Sequence, residues 1–371
     1  MGNLFNERKE KSTKGELLSV TLSNGVTKFS DLNKKDNSNI KSGNYKVVKK
    51  NDIPYNSMRM WQGASGVSSY DGIVSPAYTV LVPNRNSNSN FYAVLFKKKS
   101  ILNLFTRFSQ GLTSDTWNLK YPILKDIIVP FTNLEEQKRI FKIFNVINNL
   151  LALYDRKLKL LSQVKKYFLD NLFAEKEYPN LRFKGFTDAW EQRKLGTITD
   201  TYSGGTPQVS VKDYYSNNEI PFIRSSDIHK NKTELYISSK GLENSSAKLV
   251  SKGHILYALY GATSGEVDIS KIDGAINQAV LCINAHNDLN YFLMLFLSKN
   301  KDKIVRKYIQ GGQGNLSASI IKKIKVFTTS ELEETKISNL VKILSDIITL
   351  YENKQQHLTE IKKELLNTMF I

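Results

Sequence analysis

The sequence predicts an α+β chain built twice over, a globular module followed by a long helix and then a second module and a second helix, with the two helices pairing as a coiled coil. Three observations lead there. A gapless self-match joins the two helical runs, an apolar series repeats every seven residues in both, and weaker matches at a second constant offset join the globular parts.

The first match runs from Ile127–Phe173 onto Ile324–Phe370 at an offset of 197, Ile324 against Ile127. Within it Thr132, Glu136, Lys157 and Lys165 fall on Thr329, Glu333, Lys354 and Lys362. The apolar series is Ile140, Ile147, Tyr154, Leu161 and Phe168 in one copy, and Ile337, Leu344, Tyr351, Leu358 and Leu365 in the other. Neither run contains Pro or Gly, so each predicts an unbroken helix. A helix of roughly 36 residues spans on the order of 55 Å, more than the core of a small domain, and needs a partner of equal length. The other copy is the simplest partner; the alternative buries each helix in its own module. The stripes leave open whether the helices run parallel or antiparallel.

The globular parts match at an offset of 202. Lys46–Tyr55 lies over Lys248–Tyr257, and Gly72–Ala77 over Gly274–Ala279. Each module predicts short strands separated by turn-rich loops, such as Tyr78–Val82 and His254–Leu259, with a helix near Phe91–Phe105 or Leu289–Lys307. The expected division is a module over 1–130, a helix over 131–175, a module over 176–328 and a helix over 329–371.

Lys and Arg outnumber Asp and Glu by 53 to 35, a net charge of +18. That favours a polyanionic partner, although charge alone does not choose between nucleic acid, an acidic membrane and a generally basic proteome. The one cysteine, Cys282, lies in an apolar stretch and excludes an internal disulfide or a thiolate metal site. No run of 18 apolar residues occurs and the amino terminus has no signal core, so a soluble, cytoplasmic protein with no membrane association is expected.

Candidate chemistry is thin. Asn51–Tyr55 resembles the amine-gripping loop of methyltransferases, but Ile53 replaces its first Pro and no glycine-rich donor-binding turn precedes it. The glycine clusters at Gly204–Gly205, Gly261–Gly265 and Gly311–Gly314 lack the spacing and the Lys of a nucleotide loop. His229, His254, His286 and His357 are scattered without ligand spacing. No catalytic residue and no metal site is expected.

The residues do resemble a family, the DNA specificity subunit of type I restriction-modification systems. Carrying the resemblance are Trp190–Gly196, Gly204–Pro207, Ile220–Ile223 with Ser226–Asp227, Lys248–Val250, Asn277–Gln278 and Ile324–Val326 with Glu333–Ile337. In the first copy Ile128–Pro130 and Glu135–Ile140 fill the last place. The likeness covers nearly the whole chain, with one departure: nothing in the first copy matches Tyr178 to Leu195.

The resemblance implies that each module is a target-recognition domain reading one half of a bipartite double-stranded DNA site. It also implies that the helices form a spacer, paired antiparallel so that the modules are inverted. Such a subunit carries no catalytic residues and works with two methylation subunits and, for cleavage, restriction subunits. S-adenosylmethionine, ATP and magnesium would belong to those partners. The rivals are a self-contained methyltransferase or nuclease and a scaffold without sequence preference.

Base recognition needs exposed donors and acceptors on loops, with cations beside them. In the first module the candidates are Arg59, Trp61, Gln62, Ser65, Gln110, Thr113, Ser114 and Trp117; in the second they are Thr206, Gln208, Arg224, Ser225, Tyr260, Thr263, Ser264, Gln310, Gln313 and Asn315. Trp61 fits a module core equally well. The 202 offset sets Trp61 and Gln62 over Thr263 and Ser264, so different half-sites are expected.

Overall fold

A computed structural model of the chain describes residues 1–371 except 34, 36, 37, 39, 41, 42, 288, 310–314 and 371. The chain divides into two compact units, Met1–Arg156 with Glu352–Ile371, and Lys157–Tyr351.

The first unit opens with β1 (Phe5–Glu7), β2 (Leu18–Thr21), β3 (Gly25–Lys28), β4 (Lys46–Val48), β5 (Ile53–Asn56), β6 (Gly72–Val74) and β7 (Tyr78–Pro83). Helices α1 (Ser89–Leu95), α2 (Lys99–Phe108) and α3 (Tyr121–Leu124) follow, and then the long α4 (Leu134–Leu172). The second unit contains β8 (Glu191–Lys194), α5 (Leu195–Ile198), β9 (Thr199–Ser203), β10 (Tyr215–Ile223), β11 (Tyr236–Ile237), α6 (Ser239–Glu243) and β12 (Lys248–Val250). Beyond these come β13 (Ile255–Ala258), β14 (Val267–Ile269), β15 (Gly274–Ile276), β16 (Val280–Ala285), α7 (Asn290–Lys299), α8 (Lys301–Ile309), α9 (Ala318–Lys322), β17 (Lys325–Thr328) and the long α10 (Glu331–Thr368).

The duplication is preserved at the level of register. β4 pairs antiparallel with β6, Lys46 opposite Val74, and β12 pairs with β15 in the same way, Lys248 opposite Ile276. Ile53 of β5 faces Leu81 of β7, as Ile255 of β13 faces Ile283 of β16. Both relations hold at the offset of 202. Alternation fixes this register, because a one-residue slip would turn Ile53, Tyr55, Ile255 and Tyr257 out of their cores. The turn into β5 and the turn into β13 are both left-handed, with Asn51 at φ 73° and Gly253 at φ 97°. Asn and Gly are the residues that adopt this conformation at least cost. The Asn51–Tyr55 motif is therefore a turn leading into a strand.

The helix expected near Phe91–Phe105 is two helices, α1 and α2, and its counterpart is likewise broken between Lys299 and Lys301. The breaks let both segments of each pair contribute to the module core, through Phe91, Tyr92, Leu95, Ile101 and Phe105 in one and Phe292, Leu295 and Ile304 in the other.

The chain's two edges meet the cores in parallel ways. The Met1 ammonium donates to the Ile127 carbonyl at 2.6 Å, where the Leu195 N–H donates to the Ile324 carbonyl at 2.8 Å. Beyond that point the copies differ: β8 pairs with β17 in the second, Lys194 opposite Lys325.

The long helices are 39 and 38 residues, about 58 Å each. Each begins with acidic residues, Glu135 and Glu136 or Glu331, Glu333 and Glu334, which suit the positive end of the helix dipole. Asn133 caps α4, its side chain accepting from the Glu136 N–H at 2.9 Å. In the first unit the start of α4 shares a core with the end of α10, with Ile140 and Phe144 beside Leu365, Leu366 and Phe370. In the second unit the end of α4 shares a core with the start of α10, through Phe168, Leu172 and Phe173 with Ile337, Leu340 and Val341. The helices thus pair antiparallel. Along the seam Gln355 donates to Asp155, and Lys157 lies over the Tyr351 ring at 4.3 Å from its centroid. Among the described residues no helix is long and apolar enough to cross a membrane.

Candidate nucleic-acid interface

In the first module two loops converge. One follows β5 and carries Arg59, Trp61 and Gln62 on a short 3-10 turn, Met60–Gln62, anchored by the buried Met60. The other follows α2 and is closed by a pair of bonds, Gln110 N–H to Asn118 O at 3.0 Å and Asn118 N–H to Gln110 O at 2.8 Å. The Leu119 N–H donates to Ser57 O at 2.8 Å and ties the loops together. Across them Trp61 and Trp117 meet edge to face at 5.2 Å. Both rings are half-buried, so they serve as the platform for the exposed polar groups around them.

Arg59 is exposed and donates to the Gln62 side chain at 3.2 Å, a bond available for exchange. Gln110, Thr113 and Ser114 are exposed as well. Thr113 also closes its own turn, its N–H donating to Thr116 Oγ1 at 3.1 Å.

Ser65 departs from expectation. It is buried, and it bridges Tyr55 as Val267 of β14 pairs with Tyr257, 202 positions on. Its position belongs to an incipient strand, so its hydroxyl is not offered on a loop surface. Alignment to β14 would have exposed this, since Val267 is plainly a strand residue.

In the second module the Gln278 side chain accepts from Thr206 Oγ1 at 2.7 Å, and the Gln278 carbonyl accepts from the Tyr260 hydroxyl. Gln278, between β15 and β16, thus joins two candidates that are 54 positions apart in the chain, Thr206 and Tyr260. Thr263 and Ser264 sit on the loop between β13 and β14, where Ser264 Oγ donates to Gly261 O at 2.9 Å. Gln208 and Asn315 are exposed, and Ser225 is half-buried. Gln310 and Gln313 lie outside the described residues.

Arg224 is more committed than Arg59. Its Nε donates to Asp227 at 3.2 Å, and Lys230 donates to the other Asp227 oxygen at 2.7 Å. Burial works against the Asp227 carboxylate, but the bonds from Lys230 and Arg224 outweigh it and hold the group below the usual carboxylate range. Beside it His229 places its two ring nitrogens 3.1 Å from Asp268 and 3.1 Å from Glu266. Lys301 of α8 donates to Glu266 and, as the main cause, holds that carboxyl low. This lattice locks the loop after β10 to the loop after β13.

Gln278, Asp227, His229 and Glu266 organise the surface without having been candidates; the sequence signals for them were the Asn277–Gln278 and Ser226–Asp227 pairs in the family pattern. The His229 nitrogens face two different carboxylates, so they share no common ligand centre. Among the described residues no group of three or more His, Cys, Asp or Glu side chains could hold a metal ion. Cys282 is buried in β16, its thiol pushed up to about 11 by burial.

These features define a class: a two-module protein that presents two polar loop clusters of different composition on matched scaffolds. The chain belongs to the type I restriction modification DNA specificity domain family, which it matches over residues 2–163 and 187–363, one span per copy. Among its relatives in Methanocaldococcus jannaschii, it is 21% identical to the specificity subunit of the type I restriction enzyme MjaVIII over 345 residues, covering 87% of this chain and 79% of that protein. It is 24% identical to the MjaIX specificity subunit over 233 residues, 58% of this chain and 53% of that protein. Its fold is similar to the crystal structure of a type I restriction-modification system S subunit from M. genitalium, with a TM-score of 0.64, 16% identity, and coverage of 100% of this chain and 94% of the other.

Proposed function

We propose that this chain is the sequence-reading subunit of a type I restriction-modification assembly and reads a bipartite double-stranded DNA site, one half-site per module. The observation that carries this reading is the contrast between scaffold and loop. Strands pair in identical register at an offset of 202, whereas Arg59-Met60-Trp61-Gln62 stands opposite Gly261-Ala262-Thr263-Ser264. A scaffold kept in register while its loops diverge fits two readers of different sequences.

In this reading the paired helices are the spacer and offer similar faces to two methylation subunits, with restriction subunits added for cleavage. The chain itself is non-catalytic and acts in the cytoplasm. S-adenosylmethionine, ATP and magnesium are held by the partners. The net charge of +18 supplies the salt-sensitive attraction to phosphate, and the loops supply the discrimination.

The test is a genome-wide map of methylated adenines in cells with and without this chain. Loss of one bipartite motif is the expected result; an unchanged map would overturn the reading. Methyl transfer by the isolated chain would favour a self-contained enzyme instead.

A further inference from the structure

The first unit contains a cleft of about 480 Å³ lined by the β2–β3 turn, Ser65 and the stretch after it, α1 and facing parts of α4 and α10. Lys97, just past α1, and Lys362 of α10 both line it and are half-buried. The cleft has no acidic lining residue, and among the described residues neither lysine forms an ion pair. Burial lowers the proton affinity of both ammonium groups, and the Lys362 charge lowers that of Lys97 further. Two like charges drawn out of water without a counter-charge are costly, and an anion between them would offset that cost.

We infer that this cleft is an anion site that takes a phosphate group, held by Lys97 and Lys362 with the side-chain amides of Asn90 and Asn148 as neutral donors. Lys97 also donates to the carbonyls of Gly63 and Ser65, just past the Arg59–Gln62 loop. A phosphate here would therefore stiffen that loop from behind. The site belongs to the first module alone. At the offset of 201 that sets Phe292 over Phe91 and Lys299 over Lys98, the place of Lys97 is taken by Ser298.

The phosphate has two possible sources, a small phosphate-bearing molecule or the DNA backbone, and the second rests on the function proposed above. The test uses the full chain, its Lys362→Gln variant, and Lys363→Gln as a control on an exposed neighbour. Thermal unfolding is followed against inorganic phosphate at constant ionic strength made up with chloride. In parallel, the salt dependence of binding to a 20-base-pair duplex is measured.

The expected result is a saturable phosphate-dependent rise in melting temperature for the wild type and Lys363→Gln, with affinity reduced about tenfold or more in Lys362→Gln and retained in Lys362→Arg. A fall of about one in the salt slope for Lys362→Gln alone assigns the site to the DNA backbone. An unchanged slope with lost phosphate binding assigns it to a small molecule. Identical behaviour of Lys362→Gln and Lys363→Gln in both arms overturns the inference. If the duplex does not bind even with the methylation subunits added, the proposed function fails while the phosphate arm still judges the cleft.

Discussion

The starts of the two long helices do the same mechanical work with different chemistry. At the start of α4 the buried Gln137 is fully used: its amide donates to Asn86 O at 3.0 Å and Thr132 O at 2.8 Å, and its oxygen accepts from the Asn88 N–H at 2.8 Å. At the start of α10 the residue 197 positions on is Glu334, also buried, accepting from the Thr329 N–H at 2.9 Å. Its neighbour Glu333 takes a two-pronged bond from Arg182 at 2.7 and 2.8 Å, whereas the corresponding Glu136 is exposed. A neutral amide secures one junction, and an ionised network secures the other. The helix ends, by contrast, are alike. Lys98 donates to the Asn367 and Phe370 carbonyls and Lys299 to the Asp170 carbonyl at 3.5 Å, each meeting the negative end of a dipole. Phe370 packs on Phe91 at 5.1 Å, and Phe173 stacks on Phe292 at 4.9 Å. Between the helix junctions, divergence therefore lies where the second copy has the Tyr178–Leu195 segment that supplies Arg182.

The likeness of the helix ends can be broken one side at a time. Phe370→Ala and Phe173→Ala each remove a buried ring, at a cost of about 3–5 kcal/mol to the unit that holds it. Amide hydrogen exchange should show Phe370→Ala loosening the Met1–Arg156 unit and Phe173→Ala loosening the Lys157–Tyr351 unit. Equal loosening of both units by either variant would show that the two docking sites are not independent.

Arg182→Met leaves the buried Glu333 without its counter-charge, with the Thr329 hydroxyl still donating to it at 2.7 Å, which costs roughly 3 kcal/mol or more in the second unit. Glu136→Gln, at the corresponding place in the first, should change urea stability by less than about 0.5 kcal/mol because Glu136 is exposed. Equal effects would erase the distinction between the junctions.

Ionisation sharpens the same contrast. Burial, aided by the charge of Glu333, pushes the Glu334 carboxyl from 4.5 up to about 7. Its folded-state value is thus raised above the unfolded one, so its favourable contribution is complete below pH 4.5 and is lost as pH rises through about 7. The loss is on the order of 3 kcal/mol across that window. Glu334→Gln restores the chemistry of Gln137 and should flatten this part of the stability profile. Urea midpoints at pH 5 and pH 8 measure it, and a variant as pH-sensitive as the wild type would refute the assignment to Glu334.

Much of this was legible in the sequence because duplication prints its geometry twice. The 197 offset locates the helices, and the 202 offset places β4, β5 and β6 over β12, β13 and β15. The direction of pairing was not readable from a single stripe; it depends on Phe370 and Phe173 seating in different cores. The candidate residues could be chosen only as residue types expected on loops. Their partners were not legible, since Gln278 reaches Thr206 from 72 positions away and His229 reaches Glu266 from 37. Ser65 misled because turn-like composition, Gly63-Ala64-Ser65-Gly66, concealed a strand edge.

The two arginines give the most direct comparison of the reading surfaces. Arg59 is exposed and, among the described residues, its guanidinium has only a Gln partner, while Arg224 is bound to the buried Asp227. An arginine free to turn toward a guanine edge can contribute about 1–3 kcal/mol of discrimination, and one already spent on a carboxylate contributes less. Arg59→Ala should therefore relax base preference by about 10–100-fold at one position of one half-site and leave the other half-site unchanged. Arg224→Ala should have the smaller effect, with Lys230 still holding Asp227. Methylation maps of the two variants, read base by base across both half-sites, make the measurement. If Arg59→Ala weakens all sequences equally and lowers the salt slope by about one, Arg59 holds phosphate, and discrimination in the first module passes to Gln62 and the Gln110–Trp117 loop.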